Sequence, residues 1–191
     1  MGIKINQTHE KEIIALNEFE AVRLRPDRHI GQTSLLNDKL PIIKDNKIIQ
    51  EDRDWSPGLN HLIVEIFENS IDEAKRFTGR SKMKNIWITV NLDTNRITIR
   101  DEGNGFYKGH TKHSKTGKNV VQTAYEDLNT GSNFSDTSKN ILGTHGVGAA
   151  ICNILSKEFS VSTVNATHKV YFRWNDFELV EKEIRKKKKG E

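Results

Sequence analysis

Three short stretches of this chain carry residue types and spacings that could do chemistry. In Glu65-Ile66-Phe67-Glu68-Asn69, a carboxylate and an amide lie four residues apart, one turn of a helix. On one face, Glu65 could accept a proton from water while the Asn69 amide oxygen ligates a hard cation. In Asp101-Glu102-Gly103-Asn104-Gly105, an acceptor stands beside two glycines, Gly103 and Gly105, that let the backbone turn and approach a ligand. The Asp101 carboxylate could accept from an exocyclic amine, which selects adenine over guanine. The third stretch, Gly143-Thr144-His145-Gly146-Val147-Gly148, leads into the apolar run Ala149–Leu155. Free N–H groups at a helix start, among small residues, make an anion site. Together the three could hold a nucleobase, a metal and a chain of phosphates.

The elements that position these residues can be read from periodicity. Pro57-Gly58 opens a helix expected to run to about Phe77. At about 100° per residue, Ile63, Ile66, Phe67, Ser70, Ile71 and Ala74 share an arc of about 140° that should pack on a sheet. Glu65, Asn69, Asp72 and Glu73 fall on a separate arc of about 100°, facing a cleft or water. Taken alone, a solvated acidic face accounts for that arc, although Asn69 is a poor helix former at mid-helix. Asp101 ends a β run, and alone it reads as a plain turn after a strand. The glycine turn fits neither of two familiar phosphate loops. A polar loop, not a strand, precedes it, late in the chain, so the dinucleotide fingerprint fails. Thr116-Gly117-Lys118-Asn119 lacks the first glycine and the hydroxyl of a P-loop.

Elsewhere, helical spacing at Ile13, Ile14, Leu16 and Phe19 runs up to Val22 and is broken by Arg25-Pro26-Asp27. Residues 30–57 read as irregular, with a small hairpin from Ile42-Ile43 to Ile48-Ile49 around Asp45-Asn46. Ile86–Val90 and Ile97–Ile99 read as paired strands turning at Asp93–Asn95. Residues 107–118 read as a mobile polar loop, followed by a helix at about 119–128. Ala149–Ser156 reads as helix, and Phe159–Val164, Lys169–Trp174 and Glu178–Ile184 as strands.

With 191 residues, 30 Lys+Arg and 26 Asp+Glu, the chain suits one soluble domain. A net charge of +4 allows nucleic-acid contact without demanding it. The one cysteine, Cys152, lies in an apolar run and reads as a core residue of an intracellular protein. No run approaches the length of a membrane span, and no membrane partner is expected. No Cys/His spacing suits zinc. Two basic runs, Lys186–Lys189 and the loop carrying Lys108, His110, Lys112, His113 and Lys115, could approach phosphate, with surface solvation as the plainer reading.

In this order and spacing, the three stretches resemble the motifs of the GHKL (Bergerat-fold) group, and specifically the ATP-binding domain of type IIA DNA topoisomerases. Arg25-Pro26-Asp27-Arg28-His29-Ile30-Gly31 looks like that family's Arg-Pro-x-x-Tyr-Ile-Gly segment. Ser56-Pro57-Gly58-Leu59, Thr130-Gly131-Ser132-Asn133-Phe134 and Cys152–Phe159 resemble the eukaryotic and T-even phage branch. The resemblance implies an α/β two-layer sandwich, a mixed sheet covered by helices on one face. It implies an arm or helix at 1–24, an ATP-binding domain at 25–185 and a basic tail at 186–191. Residues 1–18 could reach across a dimer or pack on their own domain.

Carried over by position, Glu65 becomes the general base that activates water, Asn69 the Mg²⁺ ligand and Asp101 the adenine contact with Gly103 and Gly105. Ser132 and Asn133 would touch ribose and phosphate, and Gly143, Thr144, His145, Gly146, Val147 and Gly148 would wrap the phosphates. The implied ligands are ATP and Mg²⁺. The implied partners are DNA through the full enzyme, a second copy on ATP binding, and other topoisomerase domains or subunits. A MutL-like or MORC-like clamp or regulatory module of the same fold is the alternative, and a nucleotide-free structural domain a third. Three positions depart from the family pattern: Asn104 replaces a basic residue that would pair with Glu73, His29 replaces Tyr, and Thr144 is uncommon in the lid. The family continues beyond the equivalent of Glu191 into a transducer domain whose lysine contacts the γ-phosphate. The expectation is therefore nucleotide binding with poor hydrolysis by this chain alone.

Overall fold

Asn17 and Glu20 each accept the other's backbone N–H, at 2.8 and 3.0 Å, and this capping box starts helix α1 (Glu18–Leu24). Pro26 breaks the spacing, and the short α2 (Asp27–Ile30) follows and ends at Gly31. The computed structural model describes residues 15–76, 83–130 and 146–189. Ile13 and Ile14 lie outside them, and Leu16 stands exposed before the helix rather than in it.

The region read as irregular is a long hairpin, β1 (Leu36–Lys44) and β2 (Lys47–Trp55), paired antiparallel along its full length. Its turn is the expected Asp45-Asn46, with φ of 50° and 59°, the left-handed pair that twists with the strands. Its sequence alternates weakly because both faces are largely exposed, Ile43 and Ile48 included. That is why apolar patterning showed only its tip.

Ser56 caps helix α3 (Pro57–Arg76): its hydroxyl accepts the Leu59 N–H at 3.3 Å, and Pro57 needs no partner at the first helical position. Strands β3 (Ile86–Asn91) and β4 (Arg96–Asp101) pair as expected. Helix α4 (Val120–Glu126) is capped by the buried Asn119, which accepts from Val121 N–H at 2.9 Å. The Asn119 amide also donates to the carbonyls of Gly109 and Thr111 at 2.8 and 3.1 Å. Residues 107–118, expected to be mobile, are thus tied to the helix they precede. Helix α5 (Gly148–Leu155) and strands β5 (Glu158–Val164), β6 (His168–Asn175) and β7 (Glu178–Lys186) complete the order.

Among the described residues the strands form three antiparallel ladders, β1-β2, β3-β4 and β5-β6-β7. The mixed character of the expected sheet lies in how two ladders meet. Arg96 at the start of β4 pairs with Glu158 at the start of β5. Past the end of β4, the Phe106 N–H donates to Thr163 near the end of β5 at 3.0 Å. The two strands therefore run in the same direction, joined by side chains and loop contacts rather than by a backbone ladder.

Helices cover one face. Val170, Phe172 and Trp174 alternate inward along β6 and bury against Val121 of α4, with Phe159 and Val161 of β5 beside them. A second cluster, Val22, Ile30, Ile151 and Ile154, joins α1, α2 and α5. Phe177, held at φ 72°, stacks on Phe19 at 4.7 Å and ties α1 to the β6–β7 turn. Arg23 adds a hydrogen bond to the Ile154 carbonyl at 2.9 Å, so α1 packs on its own domain. No helix among the described residues is long and apolar enough to cross a membrane.

Candidate functional site

Helix α3, the end of β4 and the start of α5 converge on one large cleft of about 2580 Å³. Glu65, Asn69, Asp101, Gly103, Gly105, Gly146, Val147 and Gly148 all line it. Residues far apart in sequence thus share one space, as the spacing argument required. Ser132, Asn133, Gly143, Thr144 and His145 lie outside the described residues.

Glu65 is held from two sides. His61, one turn earlier, places Nε2 3.2 Å from Glu65 Oε1. On the other side the carboxylate lies where a side chain on Gly148 would begin: a Cβ there would overlap Glu65 Oε2 and sit 2.5 Å from its Cδ. Gly148 is therefore required by close approach, and it brings a carboxylate against the first turn of α5. That turn carries no side-chain cap, since Val147 at the cap position makes no such bond. Its N–H groups and the positive end of the helix dipole remain available to an anion. Beneath Glu65, Cys152 donates to the Leu62 carbonyl at 3.3 Å. Burial, and then the Glu65 charge, push its thiol up to about 12, so it is an inert core group, as expected.

Asn69 is exposed and its Nδ2 donates to the Glu65 carbonyl at 2.9 Å. This bond uses the donor end of the amide and leaves Oδ1, an acceptor, for a ligand. All four residues of the expected acidic arc, Glu65, Asn69, Asp72 and Glu73, line the cleft. Asp72 does so from a buried position, at 3% exposure and paired with Lys75 at 3.5 Å. Its low exposure follows from α3 being packed on more than one side, by α2, β4 and α5.

Asp101 is fixed through both oxygens. Ser70 Oγ donates to Oδ2 at 2.8 Å, and the Gly103 N–H donates to Oδ1 at 2.8 Å. Each oxygen keeps a further lone pair for the cleft. The glycines of this turn answer to the protein as well as to any ligand. Gly105, at φ 67°, presses on β5, where a Cβ would come within 2.5 Å of Thr163 Oγ1 and the Val164 carbonyl. At Gly103 a Cβ would meet Glu73 Cγ at 2.6 Å. The basic residue missing at position 104 is replaced in part: Glu73 pairs with Arg76 at 3.2 Å and accepts the Asn104 N–H at 3.2 Å. Half-buried Tyr125, whose phenol is raised mainly by desolvation, lines this end of the cleft as a neutral ring.

Two residues of the site escaped the sequence reading. Ser70 was placed on the apolar arc, and a hydroxyl on a buried helix face was the available signal. His61 left no signal beyond its i, i+4 spacing to Glu65.

Residues 56–179, which include every part of this cleft named above, match the family model described as histidine kinase-, DNA gyrase B-, and HSP90-like ATPase. The chain belongs to that family. Among relatives, it is 32% identical over 162 residues to a DNA topoisomerase 2 of Caenorhabditis elegans, covering 82% of this chain and 10% of that protein. It is 31% identical over 175 residues to the DNA gyrase B protein of Mycoplasma genitalium, covering 91% of this chain and 22% of that one. The ATPase region of Saccharomyces cerevisiae topoisomerase II superposes with a TM-score of 0.83 at 26% identity, over 93% of this chain and 48% of that one. The chain thus spans a small part of the two curated relatives and about half of the solved ATPase region. The expected likeness to type II topoisomerase ATPase domains, in sequence and in α/β fold, is borne out. As a histidine kinase-, gyrase- and HSP90-like ATPase domain, it is a nucleotide-binding unit.

Proposed function

We propose that the cleft is a Mg–ATP site and that this domain is the ATP-operated gate of a type II DNA topoisomerase. In this reading Asp101 accepts the adenine amine, Asn69 Oδ1 ligates Mg²⁺ and Glu65 is the general base. Gly146, Val147, Gly148 and the start of α5 receive the phosphates, together with Ser132, Asn133, Gly143, Thr144 and His145. ATP would close two copies around DNA within a longer enzyme or complex.

The observation that carries the reading is the Glu65–Gly148 contact. A carboxylate set against an uncapped helix start lies next to where a terminal phosphate would be bound, which suits a base that takes a proton from attacking water. Mg²⁺ would supply counter-charge to the phosphates, and the oxygen donors present, the Asn69 amide and nearby carboxylates, suit a hard cation. The chain's own residues do the rest: Ser70 and the Gly103 N–H orient Asp101, and His61 orients Glu65. Phosphoryl transfer requires mostly such positioning and charge stabilisation. The topoisomerase reading is favoured over a MutL-like or MORC-like clamp by the relatives, which are topoisomerases and a gyrase.

Isothermal titration with a non-hydrolysable ATP analogue and Mg²⁺ tests the site. Binding is expected, and Asp101→Asn should weaken it strongly; unchanged affinity in that variant would sink the assignment. Glu65→Ala should keep binding while any turnover is lost.

A further inference from the structure

The two basic runs, 78 residues apart at His110 and Lys188 by numbering, are brought side by side by a pair of stacked histidines. His110, in the loop before α4, lies on His168 at the start of β6, with ring centroids 3.9 Å apart and planes 12° from parallel. Lys186 is the ladder partner of His168, and the Lys187 N–H donates to the Thr167 carbonyl at 2.8 Å. Lys108 and Lys112 stand two residues either side of His110.

The three segments that meet here, 103–125, 159–175 and 184–189, contain no Asp or Glu. Three basic residues of these segments find carboxylates: Lys118 with Glu126 and Asp127, Arg173 with Glu158 and Glu181, and Arg185 with Glu183, one position along β7 from Lys186. Among the described residues, Lys108, Lys112, Lys186 and Lys187 form no ion pair. The backbone beneath them is rigid, since Asn119 ties the loop to α4 and β7 closes the ladder. His168 is held below the usual histidine range first by burial and then by its neighbours His110 and Lys186.

We infer that this patch binds the phosphate backbone of duplex DNA. A rigid cluster of unpaired lysines spread over a loop and a strand end fits a line of phosphates, and each contact releases condensed counterions. The residues flanking the two histidines in the chain, Gly109, Thr111, Thr167 and Lys169, are small, polar or basic, and the exposed Tyr107 beside Lys108 is aromatic, so no aliphatic ridge is offered to a bilayer and DNA is favoured over an anionic membrane. The inference gives the DNA partner proposed above a place on this domain. It rests on none of the Glu65, Asn69 and Asp101 assignments.

The test is fluorescence anisotropy of the 191-residue chain with a labelled DNA duplex over a series of salt concentrations. Three charge-reversal pairs are compared: Lys108→Glu with Lys112→Glu, Lys186→Glu with Lys187→Glu, and, at the β1–β2 hairpin tip, Lys44→Glu with Lys47→Glu. Each patch pair should weaken binding at least about tenfold and flatten the slope of log K against log salt by about 2, near 0.9 per phosphate contact. The hairpin pair should change neither. Thermal stabilisation by the ATP analogue should persist in both patch pairs, which separates loss of the DNA surface from misfolding and from failure of the nucleotide site. Equal losses in patch and hairpin pairs would overturn the inference, as would binding to phosphatidylserine vesicles without binding to DNA.

Discussion

Ser70→Ala removes one hydroxyl and tests whether Asp101 is pre-oriented by its neighbour. Ser70 is 5% exposed and donates to Asp101 Oδ2 at 2.8 Å. Hydrogen bonds to charged groups contribute about 1.5–3 kcal/mol. Asp101 keeps the Gly103 N–H on its other oxygen and borders an open cleft, so the low end, about 1.5 kcal/mol, applies. Alanine offsets about 0.5 kcal/mol of this through helix propensity at mid-helix. A net loss near 1 kcal/mol lowers the melting temperature by about 2–4 °C in a domain of this size. That shift is small, so the deciding assay is a double-mutant cycle with Asp101→Ala, in which the propensity cancels. The expected coupling is about 1.5 kcal/mol. If Asp101 also contacts the ligand, Ser70→Ala alone should weaken the ATP analogue by up to about tenfold, the equivalent of 1.4 kcal/mol. A coupling below about 0.5 kcal/mol, within the error expected of independent sites, would refute the reasoning.

Gly148→Ala should be tolerated by the helix but not by Glu65, whose carboxylate occupies the Cβ position. The melting temperature should move little, because better helix propensity offsets the displaced side chain, while ATP turnover should fall about 100-fold or more, the contribution of a general base. A coupled assay for released ADP on a preparation that turns over ATP decides it, and unchanged turnover would free Glu65 from that role. A third prediction concerns pH. His168 is depressed by burial, His110 and Lys186, so the unfolded chain binds the proton more readily. Stability should therefore rise with pH through the window below the unfolded value of about 6.5, and be lower throughout the acid side. Melting curves between pH 5 and 8 on the wild type and on His168→Gln should show a smaller acid-side loss in the variant; an identical profile removes the stack as a cause.

Much of the candidate site was legible because some of its residues are unusual where they stand. Asn69 in mid-helix and three glycines before an apolar run break a local rule, and breaks of that kind mark function or close packing, whereas Asp101 alone reads as an ordinary turn and stands out only in their company. Most strands and helices were legible for the same reason in reverse, since Val170, Phe172 and Trp174 alternate and the cap Ser56-Pro57 is written in residue types. The β1–β2 hairpin was legible only at its turn, because strands exposed on both faces carry no burial period. Asp72 could not be told from Glu65 on a helical wheel, since burial depends on which neighbours arrive.

The residue types by themselves determined a nucleotide-type constellation on an α/β frame, because local spacing dictates which side chains share a helical face or a turn. Contact between the parts was decided only by folding. The Glu65 carboxylate against Gly148, Ser70 on Asp101 and the His110–His168 stack join residues 31 to 83 positions apart. No periodicity reports such pairs, since they follow from how α3, α5 and the sheet pack on one another. Tertiary packing also turned two solvated basic runs into one rigid positive surface, by holding their backbones together where chain entropy would otherwise keep them apart.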